Sequence, residues 1–146
     1  MKASSAKGKG RRLQNYLRDK LYDCFPSLRN GDIKGAVMGE SGEDIKLSPA
    51  AKDLIPYSFE CKNQERLNIW ESLNQAEGNA DGRIPILVFK RNRTKTYVAI
   101  DLDAFEIKVY NKIMEIRREI KDSSKPKRIE KSRRRSTKKR RRVPKA

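Results

Sequence analysis

Residues 42–65 read GEDIKLSPAAKDLIPYSFECKNQE, and the rest of the chain is organised around them. Asp44 stands near one end and the triplet Glu60-Cys61-Lys62 near the other, with fifteen residues between Asp44 and Glu60. The alternation Glu43 to Leu47 predicts a short strand with Ile45 and Leu47 inward and Asp44 and Lys46 on the other face. Tyr57 to Lys62 predicts a second strand. Side chains alternate along a strand, so Phe59 and Cys61 share one side while Ser58, Glu60 and Lys62 share the other. Ser48-Pro49 has the form of a helix N-cap followed by the first helical residue, so a short helix ending before Pro56 should join the two strands. Two carboxylates on neighbouring strands can share a divalent cation, and a lysine beside them can steady charge on a phosphate.

Upstream, Leu13, Leu17, Leu21 and Cys24 form an apolar stripe that predicts a helix over residues 11–25. Pro26 and the Arg29-Asn30-Gly31 turn end it. Residues 33–38 predict a first strand, and Gly39 to Gly42 a turn that delivers the chain to Asp44. Downstream, residues 67–77 predict a helix with Ile69, Trp70, Leu73 and Ala76 on its core face. Ile84 to Lys90, IPILVFK, is a continuous apolar run with the character of a central strand covered on both faces. A basic turn, Arg91 to Thr94, leads to a further strand over residues 95–102. Asp103 to Glu106 has the pattern of a capping box opening a last helix with Phe105, Val109, Ile113, Ile116 and Ile120 on one stripe. The fold class expected is α/β, with a mixed central sheet of about five strands flanked by helices.

The chain has 146 residues with 36 Lys/Arg against 19 Asp/Glu, a net charge of +17. Residues 123–146 hold 13 Lys/Arg and one acid, Glu130, and so carry +12 of that charge. Three parts are expected: a flexible basic start over residues 1–10, a folded domain over 11–122, and a disordered basic tail over 123–146. A polyanionic partner follows, with nucleic acid ahead of membrane. No apolar run reaches the ~20 residues that span a bilayer, and no apolar leader precedes the domain. Cys24 and Cys61 have no metal-ligand spacing and are expected as free thiols. There are no histidines. That excludes a Ser-His-Asp triad, histidine-ligated zinc and a histidine general base, leaving carboxylates, lysine or metal-bound water to handle protons.

With these residues in place, the chain resembles the PD-(D/E)XK nucleases, which include type II restriction enzymes, archaeal Holliday-junction resolvases and phage recombination nucleases. The resemblance rests on Gly42-Glu43-Asp44-Ile45, then Glu60-Cys61-Lys62, and on the element order around them. It covers roughly residues 10–121 and implies a restriction-endonuclease-like core. By that resemblance Asp44 and Glu60 bind Mg²⁺ or Mn²⁺, the Cys61 carbonyl completes the coordination, and Lys62 orients water or stabilises the phosphorane. Glu43 stands where the commonest pattern has proline and is read as a scaffold residue. Gln14, on the first helix, is a candidate at the position where resolvase-like members carry an acid. Ser41 resembles a serine that resolvases place near the scissile phosphate, against the reading of a turn-forming serine. Gln75 resembles a glutamine that touches the site from the second helix. Surface salt bridging is the competing reading of the whole constellation.

Expected phosphate contacts are Arg11, Arg12, Arg66, Arg91 and Arg93 in the domain. In the tail they are Arg133, Arg134, Arg135, Lys138, Lys139, Arg140, Arg141 and Arg142. Lys7, Lys9 and Gln64 are lesser candidates, and Trp70 is read as core rather than as a base-stacking residue. The function expected is a metal-dependent endodeoxyribonuclease acting on branched or junction DNA as a homodimer. It would work in the cytoplasm, nucleoid-associated or phage-encoded, although the KKRRRVPK run also has the form of a nuclear import signal. The alternatives are a non-catalytic nucleic-acid-binding protein and a nuclease for RNA or single-strand ends.

Overall fold

The computed structural model describes residues 3–106 and 110–124 of the chain. Its elements run α1 (Ala3–Cys24), β1 (Ile33–Gly35), β2 (Ile45–Leu47), α2 (Pro49–Leu54), β3 (Tyr57–Asn63), α3 (Ile69–Gly78), β4 (Ile84–Lys90), β5 (Tyr97–Ile100), α4 (Leu102–Phe105) and α5 (Asn111–Ser123). The fold is mixed α/β, as the sequence predicts. The described residues fall into two units that divide between Asn111 and Lys112.

The strands divide into two sheets rather than one of five. β1 and β2 form an antiparallel hairpin that pairs Ile33 with Leu47 and Gly35 with Ile45. β3, β4 and β5 form a mixed sheet in that order, β3 parallel to β4 and β4 antiparallel to β5. A parallel pair needs a crossover, which α3 supplies. The seam between the sheets falls at Asp44. Its N–H donates to the Phe59 carbonyl at 3.0 Å, and its own carbonyl accepts from Ala36 N–H at 2.8 Å. Ladder pairing in the hairpin is confined to three residues on each strand, whereas β3 and β4 pair over seven.

The core lies between α1, the hairpin and β3. Leu13, Leu21, Ile33, Ile45, Ala51, Ile55, Phe59, Cys61 and Val88 are buried there. α1 starts at Ala3 rather than at Arg11, so Lys7, Lys9 and Arg11 are carried on a helix. The Lys9 carbonyl accepts from Asn63 Nδ2 at 3.2 Å, which ties that added length to the end of β3. Cys24 leaves the expected stripe and is exposed, while Tyr22 and Phe25 pack on the core instead. Tyr22 also closes the loop after α1. Its hydroxyl accepts from the N–H groups of Gly31 and Ile33 and donates toward the carbonyls of Ile33 and Arg29, all at 3.0–3.2 Å.

α2 forms where Ser48-Pro49 predicts it. Ser48 Oγ accepts from Ala51 N–H at 3.2 Å and donates to Asp32 Oδ1 at 2.6 Å. That bond, with the Arg29 N–H on its other oxygen, holds the Asp32 carboxyl below the usual aspartate range.

Trp70 is not core: it is 78% exposed. α3 turns Ser72 and Ala76 to the sheet, and residue 70 lies nearly opposite Ser72 at 100° per residue. Small residues there let the helix approach β3 and β4 closely. β4 is central as expected, with Leu87 and Val88 buried on its two faces. β5 is shorter than expected. Asp101 caps α4 through Ala104 N–H at 3.0 Å, so Leu102 is helical and the expected cap at Asp103 falls two residues late. Phe105 is exposed, as are Ile113, Ile116 and Ile120 along α5. Val109 and the basic run from Lys125 lie outside the described residues.

Candidate active site

β3 places Glu60 and Lys62 on one face and Cys61 on the other, as period-two alternation requires. Glu60 is 2% exposed. Its Oε1 meets Lys62 Nζ at 2.8 Å, and its Oε2 meets Asn79 Nδ2 at a longer 3.4 Å. Burial raises the Glu60 carboxyl above the usual glutamate range. The bond from Lys62 opposes that shift and the nearby Asp44 carboxylate adds to it. Ionised, Glu60 therefore sits beside a second negative charge in a place poor in water, and the combination calls for a cation.

Asp44 approaches from the hairpin side. Cys61 N–H donates to its Oδ2 at 2.7 Å and Gln14 Nε2 donates to its Oδ1 at 2.9 Å. A strand residue directs its N–H and C=O to the same edge. Cys61 therefore aims its carbonyl toward the edge at which it binds Asp44. The Cys61 thiol is buried, and that burial together with the two carboxylates pushes its pKa strongly up. It is a neutral thiol, so the backbone is what this residue offers a hard cation.

Lys62 is held from two sides, by Glu60 and by Gln75 Oε1 at 2.8 Å. Gln75 sits one helical turn before Asn79, so α3 reaches the constellation with both amides. Gln14 reaches it from α1. Its amide oxygen would lie 3.3 Å from a Cβ at position 35, so the bare Gly35 leaves space for the amide. Two hydrogen-bonded sets, Gln14 with Asp44 and the Cys61 N–H, and Glu60 with Lys62 and Gln75, thus meet along β3.

Ser41 joins differently: its carbonyl accepts from Lys46 Nζ at 2.9 Å, within the turn that precedes Asp44. Glu43 turns away from Asp44 into a buried ion pair with Arg83, as expected of a scaffold residue. Arg83 also donates to the Tyr57 carbonyl at 3.0 Å, bracing the start of β3. Arg11 lines a cleft of about 360 Å³ with Lys7, Gln14 and Asp44. Arg12 lies in a second groove with Tyr16, Asn63, Lys90 and Lys95. Arg66 is exposed beyond the end of β3, and Arg91 and Arg93 are exposed in the β4–β5 turn. The tail positions Arg133, Arg134, Arg135, Lys138, Lys139, Arg140, Arg141 and Arg142 lie outside the described residues. Sequence reasoning missed Asn79 and Arg83. Asn79 could have been found from its spacing of four after Gln75. Arg83 carries no such signal, because its partner is 40 residues away.

The donor set fits a hard divalent cation: two carboxylates and a backbone carbonyl, all oxygen. Among the described residues no group of three or more His, Cys, Asp or Glu side chains is placed to hold a metal ion. A two-carboxylate site suits Mg²⁺, which keeps several of its waters. Lys62 on Glu60 marks the place as one that already accepts positive charge.

An α/β core that brings an aspartate at a sheet seam to a Glu-x-Lys strand is that of a PD-(D/E)XK nuclease. Residues 6–137 match the family model described as "Phage putative PDDEXK endonuclease", and the chain belongs to that family. No curated protein and no solved structure gave a significant match.

Proposed function

We propose that the chain is a metal-dependent endodeoxyribonuclease of branched DNA, with Asp44, Glu60, Lys62 and Gln75 as its working side chains. The observation that carries this reading is the buried Glu60, bonded to Lys62 and repelled by Asp44. A surface salt bridge has no need of a carboxylate at 2% exposure beside a second, half-buried one. Asp44, Glu60 and the Cys61 carbonyl would hold Mg²⁺ or Mn²⁺. When bound, that ion supplies a Lewis acid for the phosphate and lowers the pKa of a bound water.

The remaining work falls to the protein. Gln14 and the Cys61 N–H fix both oxygens of Asp44, so its carboxylate cannot rotate. Gln75 holds Lys62 Nζ in one orientation, aimed at charge that develops on the phosphate. Arg11 and Lys7 attract the DNA backbone into the adjoining cleft. Ser41 has a supporting role at most, since its bond runs through the backbone. The described residues hold no separate recognition module, which favours reading of DNA shape over a long sequence. Symmetric cutting of a junction would use two copies, and the exposed Ile113, Ile116 and Ile120 of α5 offer an apolar stripe for association. The match to a phage endonuclease family supports a reaction on DNA inside the host cell.

The test is cleavage of a labelled four-way junction beside linear duplex and single strands, in Mg²⁺ or Mn²⁺. Paired nicks at the junction are expected. Lys62→Ala should lose at least ~100-fold in rate, the scale of one electrostatic stabiliser, while DNA binding survives. Metal-dependent cutting of linear duplex alone would keep the nuclease and discard the junction preference. Tight binding with no cutting of any substrate would identify a binding protein instead.

A further inference from the structure

The cleft that contains Asp44 has an apolar edge that the proposed chemistry does not use. Val37 and Met38 are each 68% exposed and line the cleft with Lys7, Arg11, Gln14 and Asp44. They occupy a braced turn. Glu40 N–H donates to the Val37 carbonyl at 3.0 Å, and Gly39 has φ +87°, which together define a type II turn with Met38 at its first corner. Glu40 Oε2 accepts from Val37 N–H at 3.0 Å, and Glu40 also pairs with Lys46 at 3.8 Å. The base of the turn is tied to Asp44 by the Ala36 N–H bond at 2.8 Å. The turn therefore has a fixed position relative to the candidate site.

The opposite wall is α1, which presents Gly8 and Gly10 there. Helical glycine costs up to ~1 kcal/mol relative to alanine. A Cβ at Gly10 would meet nothing within 4 Å, so no packing inside the protein explains its bareness. The cleft's two carboxylates are already engaged, Glu40 by Lys46 and Asp44 by Gln14 and the Cys61 N–H. Its two cations, bare wall and rigid apolar corner then match a nucleic-acid strand: phosphates on Lys7 and Arg11, bases against the corner.

We propose that Met38, supported by Val37, is a wedge that inserts at an unstacked base step of DNA and so selects distorted or branched substrates. Apolar side chains on architectural proteins insert at base steps, and the cost of unstacking is smallest where stacking is already broken. The inference rests on the reading of this cleft as the DNA site and adds to it the residue that sets structural preference.

The experiment uses the full chain in metal-free buffer and a four-way junction with 2-aminopurine at the branch point. Binding is read by anisotropy and unstacking by fluorescence. Wild type should raise the fluorescence on binding. Met38→Ser should abolish the rise, and Met38→Leu should restore most of it. With Mg²⁺ added, Met38→Ser should lower the junction-to-duplex cleavage ratio by about tenfold, the scale of a lost unstacking contact. A fluorescence rise and a cleavage ratio that are the same in Met38→Ser as in wild type would overturn the wedge and leave the nuclease reading standing. A Met38-dependent rise without cleavage by any form would sustain the wedge and overturn the nuclease reading. Absence of DNA binding by the wild type would overturn both.

Discussion

Glu60 is the most deeply buried charged residue among the described ones, at 2% exposure. Its carboxyl is raised by burial, so ionising it opposes folding, and that penalty is relieved as pH falls through the raised folded-state pKa. Without metal, Glu60→Gln should therefore raise the thermal midpoint at neutral pH, while wild type narrows the gap on acidification. Mg²⁺ should shift the wild-type midpoint upward, more strongly as pH rises and the proton no longer competes, and should leave Glu60→Gln unmoved. Thermal denaturation with and without Mg²⁺ between weakly acidic and neutral pH checks both statements. A Glu60→Gln protein still stabilised by Mg²⁺ would remove Glu60 from the proposed ligand set. Lys62 complements this residue, since a cation already at 2.8 Å from Glu60 offsets part of the cost before any ion binds.

At the scale of elements, the site depends on how α1, the hairpin and β3 are joined, and Tyr22 is the main clasp. Its hydroxyl serves two N–H groups of the loop that leads into β1. Tyr22→Phe leaves those donors without that acceptor and should cost about 1–3 kcal/mol, the penalty of an unmade, partly buried hydrogen bond. Urea denaturation measures it, and a loss below experimental error would mean that water replaces the hydroxyl. The same elements show where the chain was readable. β3, β4, α2 and the β4–β5 hairpin follow from alternation, an apolar run and a Ser-Pro cap, all local signals. Trp70 did not, because helical periodicity finds an apolar face but not which neighbours approach it. Ser72 and Ala76 face the sheet because small side chains allow the closer packing.

For the molecule as a whole, the uneven charge is the dominant property. Residues 123–146 carry +12 of the net +17. If that segment binds DNA through its phosphates, a chain shortened to residues 1–124 should keep its cleavage rate at saturating substrate and need more DNA to reach it. Its log-affinity should fall less steeply with log salt, by ~0.9 for each phosphate contact removed. Titrations at several salt concentrations check this, and an unchanged slope would confine DNA binding to the domain.

The resemblance of Asp44 and Glu60-Cys61-Lys62 to the PD-(D/E)XK pattern implied the nuclease family, while the sequence by itself determined the α/β class, the strand that carries Glu60 and Lys62 on one face, and the charged tail. These depend on period, composition and spacing, which are properties of short stretches of chain. Only the tertiary structure decided that the strands split into two sheets with their seam at Asp44. It also decided that Gln14 and Asn79 close on the two carboxylates, that Arg83 takes Glu43 away from them, and that Met38 stands at the cleft's edge. Each of these is a contact between residues distant in the chain. Such contacts are selected by which buried polar groups find partners and by how closely elements can pack, and no local pattern records either.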